Sequence, residues 1–333
     1  MKHNSNKTKI SAGFTLAAFL FASASAIDTD YYSGQSLTYI VATDAGGGYD
    51  AYARLIGGYL EQNLHAEHVI IRNIPGAGHY IGANTLARSR PDGLTIGTFN
   101  AGLIYGQLTN NSALQFDLRD LSWIGKAAGE PRAVVLSTNC SIKTIQDLFQ
   151  AKEPVAFAGA GIGSASYADT RLLSEALNLN IKIIPGYGGT ESEMAMMRGE
   201  ICGQVASTSS IQSFVDAGYG SFILSVGGSI SGVPNAMDFA IDDRAKKIIQ
   251  LISDMAELGR ISAAPPGIPK EQLQTLRIAY QAALEDPELI EEATRMGRPI
   301  EPAYGNAVRT LILNALNHSP EIIEIINNAI SPE

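Results

Sequence analysis

The sequence contains little cysteine, histidine and charge, and each shortage excludes a class of protein. Only 2 of its 333 residues are Cys and 5 are His, too few for the repeated ligand spacing of a zinc module. Charged residues make up 17% of the chain and hydrophobic residues 45%, a balance that excludes a disordered polypeptide. Lys and Arg number 24 against 33 Asp and Glu, and the net charge of −9 argues against a general nucleic-acid binder. At roughly 150 residues per domain, the length predicts two domains or lobes.

Residues 1–26 are predicted to be a secretory signal peptide. Three lysines precede an apolar run over 12–22, and Ala24-Ser25-Ala26 then shows the small-x-small pattern that signal peptidase cleaves. The run is shorter than the roughly 20 apolar residues of a membrane helix. We therefore predict cleavage after Ala26 and export, in which case Cys140 and Cys202 form either a disulfide or two buried thiols.

Two series of alternating strands and helices are predicted along the chain. The first series has strands at 36–43, 69–72 and 94–99. The second begins after Trp123, with strands at 133–137, 155–159, 181–184, 201–206 and 222–226, and the last third of the chain is mostly helical. Such alternation predicts parallel sheets with crossover helices. Because no flexible linker separates the two series, we expect the chain to cross between the lobes more than once.

Glycine-rich loops fall where predicted strands turn into helices, at 44–50, 159–164 and 185–190. Ligands of open α/β sheets bind at the carboxyl ends of strands, where glycine lets backbone N–H groups approach and helix N-termini attract anions. One exposed helix end contributes only about 0.3–1 kcal/mol, whereas micromolar affinity requires about −8 kcal/mol. Several loops must therefore converge on one cleft to hold a small anion.

Two enzyme classes fit the sequence less well than anion binding does. The loop Gly159-Ala160-Gly161-Ile162-Gly163 follows a strand as a dinucleotide loop does, but it lacks the G-x-G-x-x-G pattern and the acidic residue about 20 positions later. The G-x-S-x-G elbow of the α/β-hydrolases is also missing. We therefore predict no catalytic residue, cofactor or metal, and an exported α/β enzyme acting on a small anionic substrate is the alternative.

Seven short motifs in the same order resemble the receptors of tripartite tricarboxylate transporters, the Bug-type periplasmic binding proteins. The first, Val41-Ala42-Thr43-Asp44-Ala45-Gly46-Gly47-Gly48-Tyr49-Asp50 with Ala53-Arg54 after it, is similar to their V-P-F-x-P-G-G-x-x-D…A-R signature. The other six are Asn73-Ile74-Pro75-Gly76-Ala77-Gly78, Pro91-Asp92-Gly93, Phe116-Asp117…Asp120-Leu121…Ile124-Gly125, Gly161-Ile162-Gly163-Ser164, Ile184-Pro185…Tyr187-Gly188-Gly189 and Ala264-Pro265-Pro266-Gly267-Ile268-Pro269. The resemblance extends over essentially all of the chain after residue 26.

The resemblance implies an α/β, two-lobed periplasmic-binding-protein (Venus flytrap) fold in which each lobe is a mostly parallel sheet flanked by helices. Lobe 1 is expected to comprise 27–124 plus 240–333, and lobe 2 to comprise 125–239. The implied function is that of a monomeric periplasmic receptor that captures a small organic carboxylate and delivers it to a membrane permease. An amino acid as ligand, and a sensing rather than a transporting role, are left open.

The resemblance also implies which residues contact the ligand. Backbone amides and side-chain hydroxyls of the glycine loops are expected to hold the carboxylate: Ala45, Gly46, Gly47, Gly48 and Asp50 in lobe 1, and Gly161, Gly163, Ser164, Gly188, Gly189, Thr190 and Ser207 in lobe 2. Asn100 is added because it ends the third strand. Asp44 departs from the family pattern, and we expect it either to face an ammonium or hydroxyl group of the ligand or to point to solvent.

Overall fold

The computed structural model describes Met1 and residues 29–330, so that the rest of the predicted signal peptide and its cleavage site lie outside the described residues. The strands are β1 Ser36–Val41, β2 His68–Asn73, β3 Thr95–Phe99, β4 Ser122–Lys126, β5 Arg132–Ser137, β6 Val155–Gly159, β7 Ile181–Pro185, β8 Gly203–Ser207, β9 Gly220–Val226, β10 Ile261–Ala264 and β11 Ala303–Tyr304. The helices are α1 Gly48–Leu64, α2 Tyr80–Ala87, α3 Gly102–Leu108, α4 Ile145–Phe149, α5 Ala165–Leu177, α6 Glu191–Met197, α7 Thr208–Asp216, α8 Asp243–Ala256, α9 Lys270–Glu285, α10 Pro287–Arg295, α11 Asn306–Ala315 and α12 Pro320–Ile330.

The strands form two separate mixed sheets, which confirms the predicted two-lobed α/β fold. The first sheet has the order β11-β4-β10-β3-β1-β2, and the second has the order β7-β6-β8-β5-β9. In the first sheet β10 and β11 run opposite to the other strands, and in the second β5 does so. Strands β6 and β7 are parallel, so the glycine loops that follow their carboxyl ends lie at the same edge of the second sheet. The first glycine loop follows the carboxyl end of β1 in the first sheet.

The chain crosses between the sheets after β4 and again before β10, and the two crossings are hydrogen-bonded to each other. The N–H of Ala127 donates to the carbonyl of Arg260 over 3.0 Å, and that of Glu130 donates to the carbonyl of Ala256 over 3.4 Å. Helices α8 and α12, although they come late in the chain, pack against α5 beside the second sheet. The C-terminal third therefore contacts both sheets.

Helix α1 shows how the sequence pattern directs each helix onto its sheet. Its apolar side chains recur at helical spacing, and Tyr52, Leu55, Ile56 and Leu60 are buried. This face packs against β2 and α9. The result is a rigid helix whose N-terminus is held at the end of β1. Along residues 29–330, no helix has the length and apolarity needed to span a bilayer.

A disulfide joins Cys140 and Cys202 in the second sheet, which decides between the two states that the sequence left open. Their Cα atoms are 5.0 Å apart, within the usual range for a disulfide. Cys140 follows β5 and Cys202 precedes β8, two strands that pair directly. The bond therefore closes one end of this pair of strands.

Candidate ligand-binding site

A cavity of about 120 Å³ lies between elements of the two sheets. From the first sheet it is lined by the loops that follow β1 and β3, and from the second by loops and helix ends around β5, β6, β7 and β8. The lining residues are Thr43, Gly47, Gly48, Tyr49, His79, Asn100, Arg132, Ala160, Ala165, Ser166, Tyr187, Gly189, Ser192, Glu193, Gln204, Val205, Ala206, Ser207, Ser210 and Ile211. Both lobes thus contribute to one cavity.

Three helices of eight or more residues begin at this cavity. The first turns of α1, α5 and α7 supply lining residues, among them Gly48, Ala165 and Ser210. The N-cap of α1 is Gly47, which has no side chain to occupy the free N–H groups of the first turn. Each helix end also carries a partial positive charge. The cavity is therefore electrostatically suited to an anion, although the chain as a whole is acidic.

Arg132, the first residue of β5, places a guanidinium group in the cavity wall. Its Nε donates to Oδ2 of Asp169 over 2.7 Å, and its Nη1 donates to Oγ of Ser207 over 2.7 Å. Asp169 in turn accepts a hydrogen bond from the hydroxyl of Tyr105 over 3.0 Å. Only 11% of the Arg132 side chain is exposed. These bonds fix the orientation of the guanidinium group. A guanidinium held in one orientation is suited to recognise a carboxylate.

Asn100 and His79 form a polar pair on the wall contributed by the first sheet. Asn100 follows β3; its Oδ1 accepts from the N–H of Gly102 over 2.8 Å, and its Nδ2 contacts Nδ1 of His79. His79 adopts a left-handed backbone conformation with φ of 83°. Desolvation lowers the pKa of His79 to about 4, and the hydrogen bond with Asn100 opposes this shift only in part. The imidazole is therefore neutral near pH 7.

Glu193 is the acidic side chain of the cavity lining, and it lies in the first turn of α6. Burial raises the pKa of its carboxyl group from the ordinary value. On the same side of the cavity, Tyr187 and Gln204 add a phenol and an amide. This wall consequently combines hydrogen-bonding groups with a negative charge.

Five of the residues expected from the sequence line the cavity: Gly47, Gly48, Asn100, Gly189 and Ser207. The others lie beside it. Gly161, Gly163 and Ser164 pack against Gly78 or Tyr80 of the opposite lobe. Ser164 also caps α5 by accepting from the N–H of Tyr167 over 3.2 Å.

The remaining expected residues lie in the first glycine loop, at 44–50, or in the loop at 185–190 that it contacts. Asp50 accepts hydrogen bonds from the N–H of Gly46, from Nε of Arg54 and from Nδ2 of Asn73 over 2.9, 2.9 and 3.0 Å. These three bonds lower the pKa of Asp50, although burial acts in the opposite direction. Asp44 does not line the cavity: its carboxylate lies directly against Gly188. Ala45, Gly46 and Thr190 are exposed, and Gly46 lies next to Thr190 across the two loops.

Arg132, His79 and Glu193 are functional candidates that sequence reasoning missed. Arg132 begins the strand of the second sheet that runs against its neighbours, and no local pattern shows where such a strand starts. Glu193 carried a signal, because it lies in the first turn of the helix that follows the loop with Gly189 and Thr190. His79 directly follows the Asn73-Ile74-Pro75-Gly76-Ala77-Gly78 motif, whose family pattern does not include it.

Two α/β lobes that line one cavity, with helix N-termini in its wall, define the class of periplasmic-type binding proteins. The family model described as "Tripartite tricarboxylate transporter family receptor" matches residues 53–328, and the chain belongs to this family. This confirms the resemblance found in the sequence motifs. The family consists of solute-binding receptors.

The chain is also similar to curated relatives and to solved structures. A UPF0065 protein of Agrobacterium vitis is 26% identical over 80% of this chain and 77% of its own, and one of Bordetella pertussis is 25% identical over 94% and 95%. The periplasmic binding protein BugD has a TM-score of 0.77 at 21% identity, over 90% of this chain and 98% of its own. MatC from Rhodopseudomonas palustris, solved with bound malate, has a TM-score of 0.72 at 18% identity, over 88% and 99%. These structures share the fold of this chain.

Proposed function

We propose that this protein is a periplasmic receptor that captures a small organic carboxylate between its lobes and delivers it to the membrane permease of a tripartite tricarboxylate-type transporter. It acts as a monomer after removal of its signal peptide, and it has no catalytic activity. The observation that carries the proposal is the convergence of the α1, α5 and α7 N-termini and the Arg132 guanidinium on one cavity.

The proposed ligand contacts combine backbone and side-chain donors. Gly47, Gly48 and Gly189 supply N–H groups from loops of both lobes, and Ser207 and Asn100 supply polar side chains. Arg132 supplies the positive charge for the ligand carboxylate. The structure of MatC with bound malate and that of another R. palustris protein, Rpa4515, with adipate support a carboxylate as the class of ligand.

The remaining glycine-loop residues are proposed to act on closure and not on the ligand directly. Gly161, Gly163 and Gly188 allow backbone of one lobe to approach the other. Asp50 holds the first glycine loop through Gly46. Asp44 is proposed to hold the two glycine loops together by packing against Gly188.

The proposal is tested by thermal unfolding and calorimetry with a panel of mono-, di- and tricarboxylates and amino acids. A ligand at 100 times its Kd should stabilise the native state by about 2.7 kcal/mol and raise the Tm accordingly. Chromatography of the same samples should show each acid unchanged. A panel in which no carboxylate binds, or in which one is converted to a product, would contradict the proposal.

Arg132 provides the sharpest variant. Loss of a charge-assisted hydrogen bond costs about 1.5–3 kcal/mol, so Arg132→Gln should weaken binding roughly 10- to 100-fold. Because this change leaves Asp169 buried without its partner, the Arg132→Gln/Asp169→Asn double variant serves as the control for folding. The double variant should unfold nearer to the wild-type temperature and still bind weakly. Wild-type affinity in this folded double variant would exclude Arg132 as a ligand residue.

A further inference from the structure

Glu193 lines the cavity, yet no other residue within 29–330 forms an ion pair or a hydrogen bond with its side chain. Acidic residues in the first turn of a helix are common because they complement the helix dipole. Glu191 already occupies such a position in α6, where it is exposed and outside the cavity lining. The dipole therefore explains Glu191 without explaining why a second carboxylate faces the cavity.

The positive charge of the cavity lining belongs to Arg132, whose ion-pair partner is Asp169 over 2.7 Å and not Glu193. His79 adds no charge near pH 7, because desolvation lowers its pKa to about 4. Among the described residues that line the cavity, Glu193 is thus an acidic side chain without a cationic ion-pair partner.

This charge distribution discriminates between ligands with different second groups. A dicarboxylate that directs one carboxylate at Arg132 and the helix N-termini would bring its second carboxylate into a space of about 120 Å³ that also holds Glu193. Like charges at such short range oppose each other, and burial strengthens the repulsion. An ammonium group in the same place would instead supply the missing partner.

We propose that Glu193 selects a ligand that carries an ammonium group in addition to its carboxylate, so that the cargo is an amino acid and not a dicarboxylate. This inference rests on the proposed function, since it presupposes that the cavity binds a carboxylate. Glu193 is then a specificity-determining residue that touches the ligand.

Matched ligands that differ only in the second group provide the test. One series is 2-aminobutyrate, 2-hydroxybutyrate and ethylmalonate, and the other is 4-aminobutyrate, 4-hydroxybutyrate and glutarate. Calorimetry on the purified receptor should show the amino acid of one series binding at least about tenfold more tightly than its dicarboxylate counterpart. Glu193→Gln should reduce this preference by about tenfold, chiefly by weakening the amino acid. Glu191→Gln, in the same helical turn, should leave the preference unchanged.

The outcomes separate this inference from the proposed function. If wild type binds a dicarboxylate as tightly as the matched amino acid, and Glu193→Gln does not change the ratio, the selectivity inference is overturned while carboxylate capture stands. If a larger acid from the carboxylate panel is the tightest ligand, the inference holds when that acid carries an amino group and Glu193→Gln weakens its binding. The inference is overturned when that acid has no amino group or Glu193→Gln leaves its affinity unchanged. If no acid binds, the proposed function itself fails. Thermal unfolding of the empty variants confirms that they are folded.

Discussion

Nη2 of Arg260 lies 2.6 Å from Oε1 of Glu130, and each side chain is only 2% exposed. The pair joins the two crossings between the sheets. Glu130 also accepts hydrogen bonds from Ser209, and the Arg260 guanidinium lies 4.4 Å from the ring centroid of Tyr49, which lines the cavity. Burial would raise the pKa of Glu130, but Arg260 and the donors of α7 lower it overall. The ion pair therefore connects the two crossings between the sheets with the wall of the cavity.

Removing one partner of this pair should be severely destabilising. Arg260→Met leaves a buried carboxylate without its cation, so we expect a loss of about 3–5 kcal/mol in the free energy of unfolding, measured by urea denaturation. Arg260→Met/Glu130→Gln should recover a large part of that loss. The exposed pair Arg198–Glu200 is the control, because Arg198→Met should cost less than about 1 kcal/mol. Equal losses at the two sites would contradict the expectation that removing one partner costs more in the buried pair than in the exposed pair.

The disulfide is expected to stabilise the second lobe. The bonded cysteines are separated by 62 residues, and closing a loop of this size stabilises a protein by about 2–4 kcal/mol. Cys140→Ser/Cys202→Ser should therefore unfold at lower urea concentration than the oxidised wild type. Reductant should destabilise wild type and leave the double variant unaffected, and a wild type insensitive to reductant in the unfolding assay would argue against the bond.

Close packing of the lobes depends on Gly102. A Cβ at this position would lie 2.5 Å from the backbone N of Ala165 and 2.7 Å from the carbonyl oxygen of Gly163, both in the second lobe. Gly102→Ala should therefore hold the lobes apart, weaken ligand binding about tenfold or more, and leave a larger radius of gyration in small-angle scattering with ligand present. Alanine is otherwise a better helix former than glycine, so the first lobe should remain folded.

Gly58 supplies the matched control for Gly102. It lies within α1, and a Cβ there meets no atom within 4 Å. Gly58→Ala should keep the affinity and scattering of wild type and gain about 0.5–1 kcal/mol in stability. If Gly102→Ala behaves like Gly58→Ala, the two lobes do not pack at this point in solution.

His79 should make stability depend on pH. Its pKa is lowered from 6.5 to about 4 in the folded protein. Between these values the unfolded chain binds a proton that the folded imidazole does not, so stability falls as the pH drops through this window. The expected loss across the whole window is about 3 kcal/mol, and above the window the titration of His79 adds no pH dependence. His79→Asn, chosen because asparagine tolerates the left-handed backbone, should show a shallower fall over the same range. An identical slope for both proteins would assign the effect to other groups.

Local features of this fold were predictable from the sequence, and long-range ones were not. The predicted strand at 36–43, the glycine loop and the following helix correspond to β1, the first loop and α1, because hydrophobic periodicity and glycine act over a few residues. Asn100 was expected from its position at the end of a strand, and Gly47 and Gly48 from the resemblance of their loop to the family motif; all three line the cavity. Arg132 reaches the cavity through the antiparallel register of β5 with β8, where it pairs with Ser207, and sequence periodicity does not encode that register.

The β5–β8 pair is closed at one end by the Cys140–Cys202 bond and at the other by the hydrogen bond between Arg132 and Ser207. The register that links Arg132 with Ser207 also links Leu136 with Gly203, so about four residues, or roughly 14 Å of strand, separate the two ends. The turn at 138–139 is exposed at the covalent end. A peptide tag inserted in that turn would immobilise the receptor on a sensor chip through the end of the strand pair that lies away from the cavity.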